Sequence, residues 1–572
     1  LSTLLFMYMK NAPLRLWAFL ILLLLAGPAW AQPAWQWATT QTGNSMGTSR
    51  CSLPLLDAAG GVAVAGTFTG TVTLGATTLV SAGGTDAFIG RLTPAGVWTQ
   101  IIGIGGIGDD YIERLAWDAS GGLVVTGAFK SPTLAFGATT LQNANATGTT
   151  DDLFVARLTG TGTWTQAMRA GDAGSDYPNG LAVEANGTVV VAGTFRGATT
   201  SFGSITLTNA DPFVGKDLFV ARLNAAGTWV QAVRAGGTYD DYPTDLQVDA
   251  TGTATIAGYT SGQSGNFGLL SVLNANPTSG NAGIFVGRMN SAGGWTQVVV
   301  AGGTETNYPV HLAVDATGNA TIAGTFKLAT MRFGPFALAN TSTRSTDYDV
   351  FAARLTTAGT WTQAVAAGGP GNDLMGHMVA EANGTITIVG TFTGTQTNFG
   401  ATVLPNADAS GTTSDIFLAQ LRSAGTWAQA IRAGGPYAEL AQGVVSDGAN
   451  GVIVTGSVSN PSSIFGSITT ATVSPSALVA RLTGLIPTAT HAATPAEIFT
   501  LSPNPATTQV RLSWPEASAT ARPVLVLDGL GRQVRQLELP ARATAAVLDV
   551  QGLAPGLYVV RCGAATGKLV VE

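Results

Sequence analysis

Twelve residues after each of six tryptophans stands an acid or its amide: Asp110, Asp176, Asp241, Asn307, Asp373 and Glu439. A tyrosine follows four of them, at Tyr111, Tyr177, Tyr242 and Tyr308. A ring of such oxygens could hold Ca2+, or attract a cationic group or sugar hydroxyls. The same acids could instead cap their own loops by accepting backbone N–H bonds. Their recurrence in nearly every unit favours that structural role, because a site usually needs one unit to differ from the rest. A second repeated acid precedes a turn glycine, at Asp57, Asp118, Glu184, Asp249, Asp315, Glu381 and Asp447. Aspartate commonly fills that turn position, and no function is assigned to it. The run from Asp315 to Asn319 lacks the alternating acids and closing glutamate of a calcium loop.

Nothing in the sequence assembles a catalytic constellation, and no residue is assigned as catalytic or metal-ligating. His311 and His377 hold matching positions in neighbouring units and could face each other, but isolated histidines in repeats are usually drift. No serine has an identifiable histidine and aspartate partner set. Paired carboxylates brought together from several units stay open as an alternative. The chain has a net charge of −6 and no basic run, which leaves no electrostatic footprint for nucleic acid. With three His and two distant Cys, Cys51 and Cys562, metal clusters and disulfides have little to draw on, and buried thiols are the plainer reading.

The elements that position these residues follow from the tryptophans themselves. Trp98, Trp164, Trp229, Trp295, Trp361 and Trp427 are spaced by 65 or 66 residues, which signals tandem structural units. With 74 Gly and 10% charged residues, the composition favours strands and turns. In the unit opening at Trp361, the Trp segment alternates like a strand, and a loop follows through Asn372-Asp373. Strands are expected from His377 to Ala380, Thr385 to Phe392 and Asp415 to Leu421, with a tight turn at Asn383-Gly384. A Phe-Gly pair recurs at Phe136, Phe202, Phe267, Phe333, Phe399 and Phe465, with Leu74-Gly75 as the first copy. Arg91, Arg157, Arg222, Arg288, Arg354 and Arg481 recur in the fourth strand, which Asp86, Asp152, Asp217, Asp349 and Asp415 open. Cross-strand ion pairs are their expected role.

The two ends of the array are complementary. Trp35-Gln-Trp37-Ala matches a Trp strand alone, and the last unit, ending at Leu478 to Leu482, lacks one. A ring in which the first and last segments share one sheet fits; an open solenoid would end in polar caps. The expected fold class is all-β: a seven-bladed β-propeller over residues 32–484 closed by its N-terminal strand, followed by a small β-sandwich. Within each blade the Trp strand is outermost and the His377-type strand innermost, and the repeating Trp fills inter-blade core. The long loops from the Trp strand to the next inner strand then share one face, where binding is expected.

Residues 1–31 read as a secretory signal peptide. Lys10 and Arg15 precede the apolar run Leu16 to Leu25, followed by Ala29-Trp30-Ala31, and cleavage is expected after Ala31. No membrane span is expected elsewhere. Residues 485–496 form a Pro/Thr/Ala linker, and residues 497–572 a separate small β domain. This tail carries Ser502-Pro503-Asn504-Pro505, then Asp528-Gly-Leu-Gly531-Arg532, then Gly556-Leu-Tyr558-Val-Val-Arg561, and Gly567-Lys568-Leu-Val-Val near its end. In these motifs it resembles the type A C-terminal sorting domain of the type IX secretion system.

The resemblance implies a Gram-negative bacterium of the Bacteroidetes kind, export to the cell surface or beyond, and the secretion machinery as partner. It marks Pro503, Asn504, Pro505, Asp528, Gly531, Gly556, Tyr558 and Lys568 as the sorting signal. The repeats are similar to bacterial β-propeller repeats of the SBBP type, a family without a single activity. The expectation is a secreted or surface propeller that binds a glycan or protein, in adhesion or nutrient capture, with no required cofactor. An extracellular glycoside hydrolase or lyase and a ligand-free spacer are the alternatives. An asymmetric cluster of unlike polar residues from two or three blades would favour the enzyme.

Overall fold

Asp373–Ala380, Ile386–Phe392, Asp415–Leu421 and Trp427–Ala433 lie side by side, in that order, as one antiparallel sheet. The computed structural model describes residues 33–485 and 500–572, apart from 42–47, 212–214, 263, 274–281, 303–309, 328, 343, 345, 382, 449, 460–461, 472–474, 515–521, 529–532 and 563–564. The signal segment, its cleavage point and all but the first residue of the linker fall outside the described residues. Among those residues there is no helix, and seven sheets repeat the same four-strand order. The two middle strands are flanked on both sides and are the most buried, as in Val189–Phe195 and Asp217–Leu223, where every residue is buried. The Trp strand lies at the sheet edge and is largely half-exposed. The architecture is propeller-like and all-β.

Two features go beyond the sequence expectation. The inner strand begins at the acid itself, four residues before His377, because Asp373 already pairs with Phe392. The Phe-Gly segment is a hairpin of its own, Gln396–Phe399 against Thr402–Pro405, turning at Gly400 with φ of 62°. That left-handed conformation is open to glycine at little cost. The hairpin delivers its Phe onto the Trp ring. Phe136–Trp164, Phe202–Trp229, Phe267–Trp295, Phe333–Trp361 and Phe399–Trp427 meet edge-on with centroids 4.9, 5.1, 5.0, 5.0 and 5.0 Å apart. The tryptophans are core residues: Trp229, Trp295 and Trp361 are at most 8% exposed.

Neighbouring sheets share apolar clusters. Ala63, Ala65, Ala87 and Ile89 of the first pack with Phe129, Phe136 and Phe154 of the second. The inner strands pack on one another in chain order, and the first, Ser49–Leu56, also packs on the last, Glu439–Ser446. Ala34–Thr39 pairs antiparallel with Ser476–Thr483, with Trp35 opposite Leu482. Trp35 meets Phe465 edge-on at 5.1 Å, so it takes the place that a following Trp takes elsewhere. Polar links run along the same seam, with Gln36 donating to Thr483 Oγ1 at 2.8 Å and Trp37 Nε1 to Pro94 O at 2.9 Å.

The repeated charges fasten turns. Arg157, Arg222 and Arg288 donate to the carbonyls of Gly187, Gly252 and Gly318 in the next unit, at 2.6, 2.7 and 2.6 Å. Arg222 also pairs with Glu184, Arg354 with Asp315, and Arg481 with Asp447. The acids opening the strand beside the Trp strand pair across to it, as in Arg234–Asp217 at 2.6 Å and Arg432–Asp415 at 2.7 Å.

The chain divides into two compact units between Thr488 and Ala489. The second holds a three-stranded and a four-stranded sheet around a core that includes Val510, Leu512, Trp514, Val524, Tyr558 and Leu569. Two of its strands escape the sequence reading, Thr500–Ser502 and Gln533–Leu539. The latter is mostly exposed and polar, so it carries no alternating apolar signal. Cys51 and Cys562 are buried and form no disulfide, each within its own unit.

Trp35→Ala is expected to destabilise the first unit by about 3–5 kcal/mol, as a buried aromatic truncation does. Thermal melts followed by tryptophan fluorescence should show a loss as large as that of Trp361→Ala. A much smaller loss would mean that the N-terminal strand is peripheral.

Candidate functional site

The acids singled out by spacing lie at the start of the inner strands, where the loop from the preceding Trp strand ends. Asp110, Asp176, Asp241, Asp373 and Glu439 are each at most 1% exposed. Each accepts a backbone N–H from four residues earlier: Gly106 at 2.7 Å, Asp172 at 3.2 Å, Gly237 at 2.7 Å, Gly369 at 2.8 Å and Gly435 at 3.2 Å. Ser131 and Ser463 hydroxyls donate to Asp110 and Glu439 at 2.6 Å. These carboxylates are buried, and each turns one oxygen back into its own loop. Asn307 and Tyr308 lie outside the described residues.

A second buried acid approaches each from the sheet before. Asp152 Oδ1 and Asp176 Oδ2 flank Gly171, where a Cβ would stand 2.6 and 2.8 Å from them. Gly236 sits likewise between Asp217 and Asp241. Burial raises the pKa of all five inner acids, and the neighbouring acid adds to it. Asp241 and Glu439 are pushed up to about 7.

The tyrosines after the acids are half-buried and form a platform. Tyr177 OH donates to Asp151, and Tyr242 OH to Asp240 Oδ2 at 3.2 Å. Lys216 Nζ lies over both rings, 5.0 Å from the Tyr242 centroid and 5.9 Å from that of Tyr177. Tyr259 meets Tyr242 at 4.8 Å. Later units place Leu374 and Leu440 at the same position, 37% and 42% exposed. From the adjoining loops, Ile107, Tyr239 and Tyr437 are 74%, 39% and 42% exposed. This end of the sheets therefore carries an aromatic and aliphatic rim.

A different cluster sits deeper on the inner strands. In five of these strands the residue after a bulge is Arg114, Gly180, Asp245, His377 or Gly443, opposite Thr126, Ala192, Ala257, Val389 and Thr455. His311, opposite Ala323, holds the same place in its unit. Bulges re-aim side chains, and here they turn one residue per strand toward its neighbours. Asp245, His311 and His377, from three consecutive units, come together with their ligand-capable atoms within 4.8 Å of one another. The two imidazoles meet edge-on at 4.7 Å. Burial, with the nearby His311, lowers the pKa of His377 to about 3, so its imidazole is neutral. Against burial, His311 and Arg114 hold the Asp245 carboxyl below the usual range.

Sequence spacing marks the two histidines as equivalent but passes over Asp245. The signal was present: Asp245 precedes His311 by the same 66 residues that separate the histidines. The repeated acid four positions earlier, Asp241, drew the attention instead.

The raised carboxylates fix a direction for pH dependence. In the native state they bind protons that the unfolded chain has released, so stability falls as pH rises from about 4 through 7. His377 opposes this below its ordinary value of 6.5, as one group against five. Denaturant titrations at fixed ionic strength should give a lower midpoint at pH 8 than at pH 5. An equal or higher midpoint at pH 8 would show that the inner acids are ionised in the fold.

In the second unit, two of the residues expected to form the sorting signal fasten the fold. Asn504 donates to Lys568 O at 2.7 Å and accepts from Val570 N at 2.8 Å, which ties the Pro-Asn-Pro turn to the last strand. Tyr558 is buried, and its hydroxyl donates to Ala554 O at 2.8 Å. Gly556 opens the strand carrying Tyr558, Lys568 is exposed on the last strand, and Asp528 follows Arg522–Leu527. Gly531 lies outside the described residues.

No curated protein matches the chain. Among solved structures, a protein of unknown function from Dyadobacter fermentans is similar at 11% identity, covering 65% of this chain and 95% of its own, with a TM-score of 0.36. An ACO/RPE65 chimera is similar at 9% identity over 70% of this chain and 92% of its own, with a TM-score of 0.31. No helix among the described residues is long and apolar enough to cross a membrane. Residues 500–572 match the family described as "Secretion system C-terminal sorting domain", and that tail marks the protein for export through the type IX system to the outer surface or the extracellular space.

Proposed function

We propose that this is an exported seven-bladed β-propeller, closed by its N-terminal strand, that binds an extracellular glycan or protein through the end bearing its long loops. The pairing of Ala34–Thr39 with Ser476–Thr483 and the packing of the first inner strand on the last support the closed ring. The observation that carries the binding role is the rim of Tyr111, Tyr177 and Tyr242 with exposed Leu374, Leu440, Ile107, Tyr239 and Tyr437. Half-exposed aromatic rings with polar tips suit sugars and protein surfaces alike. The buried acids are scaffold in this reading; the tyrosines are the contact residues. Signal-directed export across the inner membrane precedes the sorting step, as residues 1–31 would require.

A second reading, an extracellular carbohydrate-active enzyme, draws on one observation. Asp245, His311 and His377 are unlike side chains gathered from three units, which a purely repetitive scaffold does not need.

The test is a glycan array and surface-protein screen with the purified two-unit chain. The double variant Tyr177→Ala/Tyr242→Ala should weaken any ligand found by about tenfold or more, as loss of aromatic anchors does. Ala250→Glu, on an exposed turn at the other end, should leave binding unchanged. A ligand insensitive to the tyrosine pair but lost with the turn variant would reverse the assignment of faces.

A further inference from the structure

We propose that Asp245, His311 and His377 bind one divalent first-row transition metal ion, of the zinc or cobalt kind, between three consecutive inner strands. His311 Nδ1 stands 3.8 Å from Asp245 Oδ2. That is too long for a hydrogen bond, whose heavy atoms lie within about 3.2 Å. It is close to the separation of about 3.4 Å between two ligands that each sit about 2.1 Å from a tetrahedral ion. All three residues offer their atoms within 4.8 Å, so a small inward movement completes the spacing.

One ring nitrogen of each histidine is otherwise unused. Nδ1 of His311 and Nδ1 of His377 are both buried without a hydrogen-bond partner. His311 is only 7% exposed, and leaving a buried polar atom unpaired costs free energy that coordination would recover. The surroundings hold the ligands in place. Asp245 accepts Leu246 N–H at 2.8 Å and Leu312 N–H at 2.9 Å, one on each oxygen, which orients the carboxylate and leaves lone pairs free. The His377 ring also bonds to the backbone of Val444 on the next inner strand. Arg114 donates to Glu113 O at 2.9 Å and Thr244 O at 3.0 Å, so its guanidinium is tethered to backbone.

The donor set decides the class of ion. Two imidazoles and one carboxylate suit zinc, cobalt or iron, whereas calcium and magnesium prefer all-oxygen shells. Three protein ligands leave at least one coordination position for water or an incoming group, the arrangement of open rather than purely structural sites. The site is independent of the long-loop rim: loss of either leaves the other standing.

Metal-stripped full chain titrated with Co2+ tests this directly. The expected result is visible d–d absorption saturating at one ion per chain, and displacement by Zn2+ with the same stoichiometry by elemental analysis. His311→Ala and His377→Ala should each weaken binding by about tenfold or more, while His491→Ala, altering the remaining histidine, should not. Asp245→Asn keeps the side-chain shape and should also weaken binding if either alanine variant fails to fold. No stoichiometric binding by the unaltered protein at about 100 µM metal, or retention of the Co2+ spectrum in a folded His311→Ala/His377→Ala variant, would overturn the proposal.

Discussion

The outer edge of the last repeat sheet is supplied by residues that come first in the chain. Without Ala34–Thr39, the strand Ser476–Thr483 would present a row of unpaired backbone groups, and Phe465 would lose its edge-on tryptophan. Exposed sheet edges invite pairing with other chains. One antiparallel seam between segments more than four hundred residues apart therefore covers that edge. Asp245, His311 and His377 converge because the inner strands that carry them pack on one another in chain order.

Much of this architecture was legible in the sequence because the repeat is regular. The tryptophan period gave the sheet order, and the unmatched Trp35 segment pointed to its partner strand. What escaped notice escaped for physical reasons. The Phe-Gly hairpins are short, four residues on each side, and their alternation is too brief to separate from a loop. Gln533–Leu539 is exposed on most of its length, so hydrophobicity does not mark it.

The candidate site was harder to find, and the cause is the repetition that made the fold easy. Residues that recur in every unit attract attention, yet they mostly serve the scaffold: the inner acids close loops, the arginines fasten turns, and the tryptophans fill core. A site needs the units to differ. The place after the inner-strand bulge is where they do, carrying Arg114, Gly180, Asp245, His311, His377 and Gly443 in turn. Slim residues in some units leave room beside the larger polar ones. The 66-residue spacing that relates the two histidines also relates Asp245 to His311, but unlike side chains at one repeat position do not stand out as a set.

The staple from Asn504 to Lys568 and Val570 joins the opening turn of the second unit to its final strand. A chain broken off before that strand cannot close the staple, whatever the condition of the repeats ahead of it. The turn and the strand it is fastened to lie at opposite ends of residues 500–572, so this recognition surface belongs to the folded domain and to no single stretch of it.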